Sequence, residues 1–421
     1  MFFYRLLSII LLPVIYLYLI IRLSRGKEDC KRFKERFGFS SKKKLDGELI
    51  WIHCVSVGES NSSIALIEEI LKTNSSVHIL LTSTTVTSAS QIKQKLTSNS
   101  RIIHQFLPID DFFSSSRFIK HWKPNLAIFV ESEIWPNLID VAAKNKVKLA
   151  LINARISLKS AKRWQLFHKI GFNVLKNFQI TFAQSKKDQE KLINLGLTHT
   201  KFIGNLKSLA KTLEFDDKKL KNLSNQIKDR PFWLAASTHE GEEEIIIKLH
   251  QKLKKSLPNL LTIIAPRHPN RINNIIKLIP NNLNFAIRSK NEKMTSNIDI
   301  YIADTLGELG LFYKLTDVTL ICGSLKENIG GHNPFEALKL NCAIISGCYV
   351  DNFEEIYQDL EKNKACIIIK NEEELFSNLL QTLKNKESQN DLKQNWQKLN
   401  KSNDNILNEI LVELKIIACK K

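Results

Sequence analysis

The chain has 421 residues, 43% hydrophobic and 25% charged, which excludes a wholly disordered protein and suits two or three domains. Lys and Arg number 62 against 43 Asp and Glu, a net charge of +19 that favours phosphate, nucleic acid or anionic lipid as partners without choosing among them. Seven widely spaced cysteines with no C-x-x-C pair argue against a disulfide framework or structural zinc, and for a reducing compartment.

The chain opens on an apolar segment. From Phe2 to Leu23 the only formal charges are Arg5 and Arg22. A helix of that length reaches about 33 Å, close to the roughly 30 Å hydrocarbon core, whereas the uncharged middle, Leu6 to Ile21, reaches only about 24 Å. Residues 1–24 therefore read as a membrane anchor, either a short span with snorkelling arginines or a helix lying in the interface. The chain runs straight into Arg22, Arg25, Lys27, Lys31, Arg32, Lys34 and Arg36, which argues against a cleaved signal peptide. That basic excess places the following domain on the cytoplasmic side of an inner membrane.

Strands and helices then alternate. Leu49–Val57, Val77–Ser83, Ile102–Leu107, Leu126–Ser132, Lys148–Ile156 and Gln179–Gln184 read as strands. Ser62–Thr73, Val86–Leu96, Trp135–Asn145, Lys162–Lys176 and Lys186–Leu195 read as helices between them. Strands apolar on both faces and separated by single helices imply a parallel sheet covered on both sides. A polar stretch at 209–230 reads as a linker. The pattern restarts with strands at Phe232–Ser237, Leu261–Pro266, Phe285–Ser289, Ile298–Ala303, Val318–Ser324, Ala343–Ser346 and Cys366–Lys370, and ends on a charged helical stretch. The predicted architecture is two doubly wound, Rossmann-like α/β domains, 25–208 and 231–421, facing across a cleft, since ligands in such sheets sit beyond the carboxyl ends of the strands.

Polar clusters fall at those strand ends. In Val55-Ser-Val-Gly58-Glu59, Glu59 precedes a helix, where it either complements the helix N-terminus or serves as a carboxylate that takes a proton from an attacking hydroxyl. His53 reads as a strand histidine. In Glu131-Ser-Glu133-Ile-Trp-Pro136-Asn137 two carboxylates share one side of a strand end, suited to acid–base work, to holding sugar hydroxyls or to capping the next helix. Asn153-Ala-Arg155-Ile-Ser157 and Gly204-Asn205-Leu-Lys207 each add a cation.

The second half carries turns suited to anions. Ala236-Ser237-Thr238-His239-Glu240-Gly241, Pro266-Arg267-His268-Pro269, Asp304-Thr305-Leu306-Gly307-Glu308 and Cys322-Gly323-Ser324 with Gly330-Gly331-His332-Asn333-Pro334-Phe335-Glu336 each lead from a strand toward a helix. Together they point to a nucleotide phosphate, with Glu336 able to accept ribose hydroxyls. A Walker A motif, a G-x-G-x-x-G after the first strand and metal-ligand spacings such as H-E-x-x-H are lacking, so kinase, NAD and metalloenzyme readings have no support. The charge is dispersed and the aromatics show no stacking module, which speaks against a nucleic-acid partner.

In this order the clusters resemble those of the Kdo transferases, which add 3-deoxy-D-manno-oct-2-ulosonic acid from CMP-Kdo to a lipid A precursor. The match runs from the anchor and Glu35-Arg36-Phe37-Gly38 to about Glu355. The resemblance implies a GT-B glycosyltransferase that inverts at the anomeric carbon and needs no metal or other cofactor. Its partners would be CMP-Kdo, lipid IVA and inner-membrane lipid. It also implies Glu59 as general base and Glu131 and Lys207 steadying the transition state, with Glu133 competing for the Glu131 role. CMP would lie against Pro266, Arg267, Leu306, Gly307, Glu308, Asn333, Pro334, Phe335 and Glu336, with Ser237, Thr238 and His268 nearby. The chain departs from the family pattern where Ser208-Leu209 stands for Phe-Asp and Cys348-Tyr349 for Pro-His. A transferase of another nucleotide sugar and a non-catalytic membrane nucleotide sensor are the competing readings.

Overall fold

The computed structural model describes residues 1–54, 57–96, 99–169, 174–209, 212–228, 230–401 and 406–419; the side chains of 57–62, 91, 93–96, 158, 167–169, 207, 401 and 416–419 lie outside that description. The chain forms two compact units, Met1–Lys211 with Asn403–Lys421, and Thr212–Ser402.

The first unit begins with helix α1 (Phe2–Ser24) and a 3-10 turn (Phe33–Phe37). Then come β1 (Glu48–His53), α2 (Val57–Thr73), β2 (Val77–Ser83), α3 (Val86–Leu96), β3 (Ile102–Phe106), α4 (Phe112–Trp122), β4 (Leu126–Val130) and α5 (Pro136–Lys144). β5 (Lys148–Ala154), α6 (Leu158–Lys169), β6 (Ile180–Ala183), α7 (Lys186–Asn194) and β7 (Thr200–Phe202) follow. The sheet is parallel in the order β3-β2-β1-β4-β5-β6-β7, with β1 in register on β2 from Glu48 opposite Val77 to His53 opposite Thr82. Alternate residues serve opposite cores, as two-sided burial demands: Trp51, Phe129 and Leu151 enter one, and Ile52, Ile128 and Ile152 the other.

The second unit holds α8 (Asp217–Ile227), β8 (Phe232–Thr238), α9 (Glu242–Lys254), β9 (Leu261–Pro266), α10 (Ile272–Leu278), β10 (Phe285–Ile287), β11 (Ile300–Ile302), α11 (Leu309–Leu315) and β12 (Val318–Ile321). It continues with α12 (Phe335–Lys339), β13 (Ala343–Gly347), α13 (Glu354–Lys362), β14 (Cys366–Ile369), α14 (Glu372–Lys384) and α15 (Lys386–Lys401). Its parallel sheet runs β10-β11-β9-β8-β12-β13-β14. Leu234, Ile263 and Ile344 pack one face, and Trp233, Ile264 and Ile345 the other. Strand order reverses between β1 and β4 in the first sheet and between β8 and β12 in the second, and such switch points open the crevices that doubly wound sheets use for ligands.

Three readings of the sequence are corrected. The stretch expected to be a linker contains α8, capped by Asp216, whose carboxylate accepts from the amides of Lys218 and Lys219, while Leu223 and Ile227 enter the core. The second domain does not run to residue 421. The final helix, α16 (Ile406–Cys419), returns to the first unit and buries Ile406, Ile410, Leu411 and Leu414 there. Two elements escaped notice: α4, whose serine run is a poor helix signal but whose Asp111 side chain caps the amides of Phe113 and Ser114, and the three-residue β7.

Candidate active site

In the first unit the clusters after β1, β4 and β5 stand side by side because those strands are neighbours. At the end of β1 the His53 ring is fully buried; its Nδ1 lies 3.0 Å from Thr82 Oγ1 and its Nε2 3.4 Å from Glu133 Oε2. Trp135 Nε1 donates to the same Glu133 oxygen at 2.8 Å, so Glu133 is engaged in fixing the turn into α5. Glu131 directly follows β4 at φ +60°, a left-handed backbone that costs a β-carbon-bearing residue about 1–2 kcal/mol. On β5, Asn153 holds φ +51° and accepts the Leu206 amide at 3.0 Å, joining the Asn153–Ser157 cluster to the turn Leu206–Leu209. Ser132 Oγ donates to the Arg155 carbonyl at 2.7 Å. Glu59 lies in the first turn of α2, and α2 packs against the turn that contains Lys207. The side chains of Glu59 and Lys207 themselves lie outside the described residues.

In the second unit the turns after β8, β9 and β12 meet through three imidazoles. His239 stacks on His332 with centroids 5.1 Å apart and Nε2 atoms 2.9 Å apart, and meets His268 edge-on at 5.8 Å. Two ring nitrogens that close need one N–H and one lone pair, so at least one ring is neutral. Burial, aided by the neighbouring imidazoles and Arg267, pushes His332 down to about 4; burial and the same cations lower His239. Arg267 and His268 are exposed, and the Arg267 amide donates to the Thr238 carbonyl at 3.0 Å. Pro266 is buried at the end of β9. Ser237 holds φ +61°, while the Thr238 hydroxyl turns inward and donates to Glu243, which also binds Arg271.

The anion-type turn after β12 is already filled from within. Glu242, fully buried in the first turn of α9, accepts the amides of His239 (2.9 Å), Gly323 (2.8 Å), Ser324 (3.1 Å) and Leu325 (3.0 Å). Burial raises its pKa, and these amides pull against that rise. Gly323 holds φ +72°, and a β-carbon there would sit 2.8 Å from the His332 ring. Farther along, the Asn333 side chain accepts the Phe335 amide at 3.1 Å. Pro334 is buried, the Phe335 ring packs 5.5 Å from Trp396 in the core, and Glu336 is half-buried on α12.

The turn after β11 is built differently. Glu308 takes a forked pair of bonds from Arg288 (2.8 and 3.0 Å), one from Lys219 Nζ (2.7 Å) and one from Thr305 Oγ1 (2.7 Å). The Arg288 bonds, ahead of those from Lys219 and Thr305, hold its carboxyl at about 2 against the opposing effect of burial. Leu306 is 82% exposed, and Gly307, at φ +81°, has open space where a β-carbon would stand. Gly307 borders a groove of about 600 Å³ that is also lined by Glu214 to Lys219, Glu308 and Leu311. Among the described residues no group of three His, Cys, Asp or Glu side chains is arranged to hold a metal.

Most predicted site residues thus stand at carboxyl ends of strands, but Thr238, Pro334 and Phe335 face inward. The sequence reading missed Glu242, Glu243, Arg271 and Arg288, which hold the turns from behind. Only the acid pair in the first turn of α9 gave a local signal, and that signal pointed to the helix dipole.

Residues 31–210 match the family described as 3-deoxy-D-manno-octulosonic-acid transferase (kdotransferase). The chain is 38% identical over 412 residues to the 3-deoxy-D-manno-octulosonic acid transferase of Rickettsia bellii, covering 97% of each, and 34% identical to that of Haemophilus influenzae, covering 85% of this chain and 84% of the other. Among solved structures, the UDP-GlcNAc 2-epimerase of Neisseria meningitidis bound to UDP-GlcNAc aligns with a TM-score of 0.60 at 15% identity, over 88% of this chain and 99% of that one. That likeness bears on the fold alone, which is the GT-B arrangement of two doubly wound units. Identity of 38% over nearly the whole length, with the family match over residues 31–210, makes the chain a member of the 3-deoxy-D-manno-octulosonic-acid transferase family.

Proposed function

We propose that this Kdo transferase moves Kdo from CMP-Kdo to the lipid A precursor lipid IVA with inversion, using Glu59 as general base. The observation that carries the reading is the position of the family motifs at the switch points, Glu59 after β1 and Glu131 after β4 in one sheet, Ser237 at the carboxyl end of β8 and Asn333 after β12 in the other. Glu59 takes the proton of the acceptor hydroxyl as its oxygen bonds to the anomeric carbon. The bond from that carbon to the phosphate oxygen breaks in the same step, and CMP leaves with the electron pair. One carboxylate suffices for a direct displacement, whereas retention would need a nucleophile as well. Arg267 and Lys207 offset the charge gathering on CMP, and Glu131 the positive charge on the sugar.

The CMP site comprises Pro266, Arg267, Leu306, Gly307, Glu308, Asn333, Pro334, Phe335 and Glu336, with Ser237, Thr238 and His268 adjoining. Thr238 and Phe335 contribute backbone, since their side chains point inward. Glu308, with both oxygens engaged, orients the turn that presents Leu306 and Gly307. The acceptor is a bilayer lipid, and α1, the helix long and apolar enough to meet a membrane, keeps the enzyme at the cytoplasmic face of the inner membrane. The test is turnover with CMP-Kdo against UDP-sugars. Glu59→Gln is expected to lose about 10²–10⁴-fold in rate with CMP binding retained. Turnover of UDP-sugars alone, or a fully active Glu59→Gln enzyme, would refute the proposal.

A further inference from the structure

Helix α1 presents two stripes. Tyr4, Ser8, Leu12, Ile15, Leu19 and Leu23, spaced by three or four residues, are buried or half-buried, whereas a broad apolar face is exposed: Phe3, Leu7, Ile10, Val14, Leu17 and Ile21 at its centre and Leu6, Ile9, Leu11, Tyr18 and Ile20 at its flanks. The inward stripe runs the full length of the helix, so α1 lies along the first unit instead of projecting from it. Both ends are pinned to that unit. At the amino end Tyr4 Oη donates to Asp110 at 2.9 Å, Arg5 pairs with Asp140, and Asn137 donates to Ser8 Oγ at 3.2 Å. At the carboxyl end Arg22 binds Glu28 at 2.7 Å, Glu28 binds the buried Arg36 at 2.9 Å, and the Tyr16 and Phe37 rings meet at 5.0 Å.

These contacts also revise the reading of the basic stretch. Arg22 and Arg36 are spent on Glu28 and Arg32 on Glu35, which leaves Arg25, Lys27, Lys31 and Lys34 exposed in the stretch that directly follows α1. A spanning helix would carry Tyr4 and Arg5 about 30 Å from its carboxyl end, to the opposite face of the bilayer. To keep its partners there, the unit would have to drag Asp110 and Asp140 into hydrocarbon, where ionised groups are strongly disfavoured.

We infer that α1 is an in-plane anchor: its uncharged outer stripe lies in the cytoplasmic leaflet of an anionic bilayer, the four exposed cations contact lipid headgroups, and the amino terminus stays on the cytoplasmic side. This rests on the membrane reading proposed above and adds a topology to it. The test uses the full chain with a short polar epitope ahead of Met1, digested with protease in intact spheroplasts and in inverted inner-membrane vesicles. The expected result is loss of the epitope in inverted vesicles and its survival in spheroplasts. A second variant, Tyr4→Cys with Asp110→Cys, should link through a short bifunctional maleimide in the same membranes. Epitope loss in spheroplasts, or a pair that fails to link in membranes, would overturn the in-plane anchor and leave membrane attachment standing. Recovery of the untagged chain in the soluble fraction would overturn attachment itself.

Discussion

Removing the carboxylate of Glu242 should loosen the donor side of the enzyme without touching a group that contacts substrate. Its two oxygens are the acceptors for four amides drawn from the turns after β8 and β12, and the residue has no solvent exposure. A buried donor left unpaired costs about 1–3 kcal/mol. Glu242→Ala opens space that water can enter, so the low end applies, and four donors give about 4 kcal/mol. Glu242→Gln keeps one oxygen for two of the amides but turns an NH₂ toward the other two, which predicts about 2–3 kcal/mol. At about 1.4 kcal/mol per tenfold, amide exchange at Gly323, Ser324 and Leu325 in the Gln variant should accelerate by roughly 30- to 140-fold. Donor KM should rise with it, because the Gly323 carbonyl of the same turn accepts the Gly331 amide at 2.8 Å, two residues before Asn333. Unchanged exchange at those three amides in Glu242→Gln would refute the claim that this carboxylate holds the two turns together.

Two further outcomes follow from buried groups outside the site. His104 is buried; Arg32, which can only donate, approaches Nδ1 at 3.0 Å, so the Nε2 hydrogen goes to Ser83 Oγ at 2.9 Å and the ring is neutral. Burial, then Arg32, pushes its pKa to about 3 against 6.5 unfolded, so its contribution is present above 6.5 and declines as pH falls toward 3; at pH 5 the loss is about 2 kcal/mol. His104→Gln should remove that part of the acid sensitivity in urea titrations at pH 7 and pH 5, and an unchanged pH difference would refute the assignment. Deleting the chain after residue 402 strips Ile406, Ile410, Leu411 and Leu414 from the first unit, at up to about 1.5–3 kcal/mol each. Limited proteolysis should then open β5 and β6, which α16 touches, while the second unit keeps its protection; the reverse pattern would place the helix elsewhere.

What was legible in the sequence is what local chemistry writes there. Val77–Ser83 and Leu261–Pro266 read correctly to the residue because runs of apolar residues buried on both faces leave no other period. The helix in 209–230 was equally legible, since Asp216 precedes Leu220, Leu223 and Ile227 at helical spacing, but the lysines and asparagines around them masked it. Other features are tertiary and have no local signature. Glu242 reaches a turn 81 residues away, and Glu28 and Glu35 take up three arginines that look solvated when read in order.

The motif residues carry one more constraint that spacing does not show. Glu131, just past β4, and Ser237, the penultimate residue of β8, have positive φ, and neither is glycine, the residue that adopts that backbone without a steric penalty. Each holds about 1–2 kcal/mol of local strain, and a glycine would relieve it while preserving the turn. Asn153 does the same at smaller cost, its side chain repaid by the Leu206 amide. Of the two acids, Glu133 has its Oε2 engaged by Trp135 beside His53, and the transition-state role proposed above is assigned to Glu131, one residue past β4.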